Sequence, residues 1–200
     1  MGDAERPLSG GPFASTRDRL WAGFRPYAAW ARQLKIRHRS RCSVGAYALN
    51  SEDFQIRKAT LDDLANVRSC AQAAYSKYVD RMGKAPAPMD ADFAAQIEQG
   101  IVHLALFELQ FVGYVVFYRE GDHLHLESVA VLPEQTGKGI GKELLGYVER
   151  TARLDGLKAV ELYTNEAMVE NLAMYEKMGY REIQRKHHAG FKRVFFRKSL

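Results

Sequence analysis

Three glycines at alternate positions, Gly137, Gly139 and Gly141, stand between the hydrophobic run Val129-Ala130-Val131-Leu132-Pro133 and a stretch of helical periodicity. Glycine at every second position lets a backbone close on a ligand and turn its amides inward. A helix opening directly behind such a loop adds partial positive charge. Lys138 and Lys142 reinforce that charge, so the chemistry on offer is the holding of a phosphate or pyrophosphate. Two familiar phosphate loops fail on spacing. A P-loop needs Gly, four residues, Gly-Lys and then Ser or Thr, whereas Glu143 follows Gly141-Lys142 and Thr136 stands five before Gly141. A dinucleotide fingerprint needs a third glycine three residues after the second, and that position is Lys142. On this segment alone, a flexible strand-to-helix loop stays open as the plainer reading.

A second segment narrows the choice. After the strand-like run Ala159–Thr164 comes a stretch with Met168, Asn171, Tyr175, Gly179 and Tyr180. The two segments together resemble the GNAT superfamily of acetyl-CoA-dependent N-acetyltransferases. Its loop has the form Gln/Arg-x-x-Gly-x-Gly/Ala, and its later helix Asn-x-x-Ala-x-x-x-Tyr-x-x-x-Gly-Phe/Tyr. Thr136 stands where the loop usually opens with Gln or Arg, Met168 at the asparagine position and Asn171 at the alanine position. The likeness spans about residues 54–200 and leaves the first fifty aside.

The resemblance implies an α/β (α+β) fold, a mixed and mostly antiparallel twisted sheet flanked by helices in the order β-α-α-β-β-β-α-β-α-β-β. It implies acetyl-CoA as co-substrate, no metal, and transfer of the acetyl group to a primary amine of a small molecule or peptide by direct attack in a ternary complex. It also assigns cofactor binding to the backbone of Val129, Ala130 and Val131, and to Thr136, Gly137, Lys138, Gly139, Ile140, Gly141 and Lys142. The Val131 amide would face the thioester carbonyl. Asn171 is the candidate for contacting the cofactor arm, in a shifted register. Tyr175 takes the position of the general acid that protonates the departing thiolate; simple packing against Tyr180 is its plainer reading. No cysteine lies in the matched motifs, which argues against an acyl-cysteine intermediate.

Glu127 is the candidate base. In an ideal strand it alternates with Val129 and Val131, and a carboxylate acting through water can take a proton from an amine that is mostly charged at neutral pH. A solvated strand residue is the equal alternative, and a bulge would change the register. His125 is the substitute base or a pocket wall. His123, His187 and His188 are expected at strand ends, with no metal spacing joining them. For the acceptor, the resemblance points to the first two helices and their connection: Tyr75, Tyr78, Arg81, Met82 and Pro86–Met89. Aromatics with one arginine suit a small amine carrying a carboxylate, or a peptide end, and equally suit ordinary packing. A non-catalytic acyl-CoA sensor is the rival function.

These residues need elements to position them. Phe54–Lys58 reads as a strand, and Thr60 with Asp63 as a capping box opening a helix to about Tyr78. Arg81–Met89, with Pro86 and Pro88, reads as a loop, and Asp90–Gln99 as a short helix stopped by Gly100. Val102–Glu108, Val112–Tyr118 and His123–Val131 form a meander turning at Gln110 and at Glu120-Gly121-Asp122. The helix behind the glycines places Ile140, Leu144, Val148 and Ala152 on one face, with Leu145 beside them, and closes at Gly156. Tyr180–His188 and Phe191–Lys198, turning at Ala189-Gly190, complete the pattern.

With 46% hydrophobic residues among 200 the chain can bury a core. Its net charge of +5 is unevenly spread. Residues 1–50 carry nine basic and three acidic residues, leaving 20 basic and 21 acidic for the rest, so nucleic-acid binding by the main domain has no electrostatic support. Residues 1–53 read as a basic, disordered extension, with a short helix after Pro26 and membrane contact as the lesser alternative. Residues 54–200 read as the acetyltransferase domain. Isolated cysteines, Cys42 and Cys70, fit a reducing compartment, so a cytoplasmic location is expected. A homodimer stays open.

Overall fold

The computed structural model describes residues 53–200. The readings of residues 1–52, including the helix after Pro26 and Cys42, lie outside the described residues. Strands β1 (Phe54–Lys58), β2 (Val102–Phe107), β3 (Gln110–Glu120), β4 (His123–Val131), β5 (Ala159–Asn165), β6 (Arg181–His188) and β7 (Phe191–Ser199) form one sheet in the order β1-β2-β3-β4-β5-β7-β6. Every neighbouring pair is antiparallel except β4 and β5. Helices α1 (Leu64–Tyr75), α2 (Val79–Met82), α3 (Phe93–Glu98), α4 (Ile140–Leu154) and α5 (Val169–Lys177) cover it. This is the expected mixed sheet and element order, with α2 as an added turn.

Each face of the sheet has its own core. On one, Val67, Cys70 and Ala71 of α1 and Phe93 and Ile97 of α3 pack on Leu104, Tyr114 and Val116. On the other, Ile140, Leu144, Leu145, Val148 and Ala152 of α4 pack on Val115, Leu124, Leu126, Leu162 and Phe196. The stripe expected from helical spacing is thus the buried one. Burying side chains such as Leu144, Leu145 and Val148 stabilises by about 1.5–3 kcal/mol each.

Thr60 and Asp63 form the expected capping box, and the Asp63 carboxylate also accepts two hydrogen bonds from the Arg57 guanidinium, at 2.7 and 2.8 Å. Three boundaries move. The helix expected from Asp90 begins at Phe93, because the Asp92 carboxylate accepts from the Ala95 amide at 3.1 Å and caps it there. The connection expected to be a loop contains the helical turns Val79–Met82 and Ala87–Asp90. The β2–β3 hairpin turns at Glu108 and Leu109, both in the left-handed region at φ 48° and 64°, and not at Gln110, which already pairs with Phe107. The final hairpin turns at Ala189 and Gly190 as expected.

Strand β4 has two irregularities. Its pairing with β5 runs only from His123–Ala159 to Leu126–Leu162; beyond that the two parallel strands part. Against β3 the register jumps from Phe117–Leu126 to Val116–Ser128, leaving Glu127 as the extra residue of a bulge. Leu124 and Leu126 lie in the α4-side core, and so do Val129 and Val131. The alternation therefore changes phase at Glu127, which does not share a face with Val129 and Val131. The ideal-strand expectation is corrected: the bulge re-aims this carboxylate.

Candidate active site

Where β4 and β5 part, a cavity opens. Glu127, Ser128 and Val129 line it from β4, Tyr163, Thr164 and Asn165 from β5, and Met168, Asn171 and Tyr175 from α5 and its entry. Tyr75, the Pro86–Pro88 turn, Phe191 and Arg193 close the remaining sides. Parallel strands whose ladder stops early leave backbone groups for another chain to meet, and a ligand arm can take that place.

Beside the gap, Gly137 and Gly139 adopt φ of 79° and 85°, a region costly for any residue with a Cβ. Gly139 precedes the first turn of α4, and no side chain caps that turn. The first amide bonded back is Glu143, to the Gly139 carbonyl at 3.1 Å. Among the described residues the amides of Ile140, Gly141 and Lys142 therefore remain as donors at the positive end of a 15-residue helix. Lys138 reaches the Gln135 side chain at 2.8 Å. Thr136, standing in place of Gln or Arg, donates its hydroxyl to the Pro133 carbonyl at 2.7 Å and so tightens the loop. Such a donor set fits a diphosphate such as that of coenzyme A.

The Tyr175 ring is buried between Tyr180 and Phe196, at 5.8 and 5.7 Å, while lining the cavity. Packing and exposure to the cavity coexist. Among the described residues its hydroxyl makes no hydrogen bond, and burial raises its pKa well above 10, so it holds its proton. Glu127 accepts from the Tyr163 hydroxyl at 2.6 Å, and His125 Nε2 lies 3.5 Å from its other oxygen. Burial pushes its pKa up, but hydrogen bonds from His125 and Tyr163 and the nearby Arg193 charge outweigh that, and the net shift is downward. It is a carboxylate at neutral pH.

Other expected residues divide. Asn171 lines the cavity, accepting from the Tyr78 hydroxyl at 3.4 Å and donating to Met168 Sδ at 3.6 Å. Of the three strand residues only Val129 lines the cavity, and its carbonyl accepts from the Tyr75 hydroxyl at 2.9 Å. Ala130 is buried on the α1 side of the sheet, and Val131 packs on the α4 side. Tyr78 is buried just behind the cavity lining. Arg81 is not at the cavity: it pairs with Glu170 at 2.7 Å on the surface, both side chains about half exposed. His125 is likewise behind the lining, reaching it through Glu127.

Arg193 and Tyr163 escaped the sequence reading. Arg193 is buried, its guanidinium 3.8 Å over the Tyr163 ring and its Nη1 3.0 Å from His188 Nδ1. Arginine can only donate, so that histidine nitrogen accepts. Among the described residues no carboxylate lies within ion-pair distance of Arg193. The sequence offers no signal that sets Arg193 apart from its basic neighbour Lys192, because only the pairing of Arg193 with Asn165 brings it to the cavity.

The family to which this fold and glycine loop belong is one of acyltransferases. The chain belongs to the Acetyltransferase (GNAT) family, whose profile matches residues 67–180. It is 32% identical over 99 residues to the aminoalkylphosphonate N-acetyltransferase of Salmonella typhimurium, an alignment covering 45% of this chain and 64% of that relative. Its fold is similar to the PaiA N-acetyltransferase of Thermoplasma acidophilum in complex with coenzyme A, with TM-score 0.60 and 16% identity over 74% of this chain and 99% of the other. The ribosomal-protein-S18-alanine N-acetyltransferase of Escherichia coli superposes with TM-score 0.58 and 17% identity, over 74% and 92% of the two chains.

Proposed function

We propose that residues 54–200 catalyse transfer of an acetyl group from acetyl-CoA to the primary amine of a small molecule that also carries an anionic group, by direct attack in a ternary complex. The carrying observation is one cavity, at the parting of β4 and β5, lined by the Tyr175 phenol, the Glu127 carboxylate and the Arg193 guanidinium together. When bound, acetyl-CoA supplies the acetyl group as an activated thioester. The amides of Ile140, Gly141 and Lys142, with the Lys138 and Lys142 side chains, hold the diphosphate. The Val131 amide expected to polarise the thioester carbonyl lies outside the cavity lining, and Val129, which lines it from the same strand, takes that role in this reading; a donor of this kind contributes about 2.7–4 kcal/mol in well-studied hydrolases.

Glu127 attracts the substrate ammonium and takes its proton through water, aided by the bulge that aims it into the cavity. Arg193 meets the anionic group, as a planar fork of donors suits a carboxylate or a phosphonate. The name of the Salmonella relative, which acts on aminoalkylphosphonates, supports that class of acceptor. Tyr175 delivers a proton to the departing thiolate. A phenol raised by burial above its ordinary value protonates a thiolate whose conjugate acid lies near 8.5 only when held against it, and the buried ring supplies that positioning.

The test is thiol release from acetyl-CoA across aminophosphonates, amino acids, plain amines and peptides, with wild-type protein and Tyr175→Phe. Turnover is expected with the anionic amines and a fall of about 10²–10⁴-fold in kcat for the variant, with coenzyme A affinity retained. Binding of coenzyme A without turnover on any amine would leave a sensor, and an unimpaired Tyr175→Phe would remove the acid role.

A further inference from the structure

Away from the cavity, at the start of β4, two imidazoles and a carboxylate converge. His123 and His125 lie two apart on β4 and share a face, and the β3–β4 hairpin sets Glu120 opposite His123. Glu120 Oε2 stands 3.7 Å from His123 Nε2 and 3.8 Å from His125 Nδ1, and one donor atom from each of the three residues lies within 4.8 Å of the other two. Glu161 Oε2 is 3.6 Å from the same His123 nitrogen, while its other oxygen pairs with Arg197. The two histidine side chains are only 14% and 11% exposed, so the fold holds their rings; Glu120, at 61%, is free to swing.

The second nitrogen of each ring already faces a carboxylate. His123 Nδ1 lies 3.4 Å from Asp122 Oδ1, and His125 Nε2 lies 3.5 Å from Glu127 Oε2. A neutral imidazole has one donor and one acceptor nitrogen. Placing the proton on the carboxylate-facing nitrogen leaves lone pairs on His123 Nε2 and His125 Nδ1, the two atoms beside Glu120. His123 Nε2 is buried and makes no hydrogen bond among the described residues. Histidines that bind metals are oriented by this same device, a carboxylate taking the other ring N–H. Here it occurs twice around one point.

We propose that Glu120, His123 and His125 bind a borderline divalent ion of the zinc class, Zn²⁺ or Co²⁺. Two nitrogens with carboxylate oxygen suit such ions; Mg²⁺ and Ca²⁺ take oxygen ligands. Bonds of about 2.0–2.2 Å require the donors to draw closer, and the exposed Glu120 side chain supplies the movement. Glu161 or water completes a tetrahedral set. With the ion on Nδ1, His125 holds a single tautomer and keeps its Nε2–H on Glu127, so the site also positions the carboxylate that lines the cavity. This last consequence rests on the proposed transferase function; the metal site does not.

The test is titration of the full chain, first stripped with chelator, using Co²⁺ followed by visible absorption and Zn²⁺ followed by calorimetry. One equivalent with saturable Co²⁺ ligand-field bands is expected, weakened at least about ten-fold by His123→Ala or Glu120→Gln and unchanged by replacing His187 and His188 together. Thermal melts establish that each variant is folded, and Glu120→Gln, on an exposed side chain, serves if His123→Ala is not. Wild-type protein without a saturable signal, or Glu120→Gln and His123→Ala binding at full strength, would overturn the site. Coenzyme A calorimetry on the same samples separates the two readings: failure of metal binding with coenzyme A still bound removes the metal site alone, and the reverse removes the transferase reading alone.

Discussion

A buried arginine stacked on a tyrosine ring, with no carboxylate within ion-pair distance among the described residues, suits an anionic partner. Arg193 holds this position, stacked 3.8 Å over Tyr163 and tied to His188 by one of its five N–H groups. Replacing it with glutamine keeps a polar side chain but removes the charge and the fork. Arg193→Gln is expected to raise KM for aminophosphonate or amino-acid acceptors at least ten-fold, the scale of about 1.5–3 kcal/mol for a charged hydrogen bond, while leaving plain amines little changed. Steady-state kinetics with matched charged and neutral acceptors measures this, and equal losses for both would count against an anion clamp. Cys70 illustrates the opposite case. Burial in the α1 core pushes its thiol up to about 12, so it stays protonated and unreactive.

At the scale of the element, the beginnings of two helices carry distinct loads. The start of α4 is left uncapped by side chains and open to a ligand, and Gly139 at φ 85° makes the bend into it. Gly139→Ala meets no neighbour within 4 Å, so its cost is conformational alone, about 1–2 kcal/mol for a left-handed residue. A fall in melting temperature together with weaker coenzyme A binding by calorimetry is expected; normal affinity would show that the loop does not hold the diphosphate. The entry to α1 is instead closed by its own side chains. Arg57 and the Thr60 amide and hydroxyl hold the Asp63 carboxyl at about 2, below its ordinary 3.8. A carboxyl lowered on folding stabilises fully above the unfolded value and loses that contribution as pH falls through the folded one. The Asp63 contribution is therefore complete above about pH 4 and fades toward pH 2. Asp63→Asn is expected to cost about 1–2 kcal/mol near neutrality, with the two proteins converging in stability near pH 2. Denaturant melts across that range check it.

At the scale of the molecule, the proposed function rests on a sheet whose central ladder is incomplete. β7 enters between β5 and β6 and carries Phe191 and Arg193 to the cavity, while on the other edge of β5 the pairing with β4 ends at Leu126 and Leu162. Among the described residues, 53–200, stand two cores, a cavity lining and the glycine loop. That stretch alone is expected to melt in one cooperative transition and to bind coenzyme A within about two-fold of the full chain, a shift of under about 0.5 kcal/mol. Loss of binding on truncation would assign residues 1–52 a part in the site. By itself the sequence determined whatever depends on near neighbours. The glycine loop, the α4 stripe, the Thr60–Asp63 box, and the Tyr175–Gly179–Tyr180 spacing are local patterns, and they carried the family and the element order. What only the tertiary structure decided depends on strands far apart in the chain. The bulge that turns Glu127 is a mismatch between β3 and β4, invisible in either strand alone. Arg193 displaces Arg81 as the cavity's cation because β7 pairs with β5, and His123, His125 and Glu120 meet only once a hairpin closes. Periodicity reports which face of an element is buried; register between elements is set by packing, and it is register that assembles the chemistry.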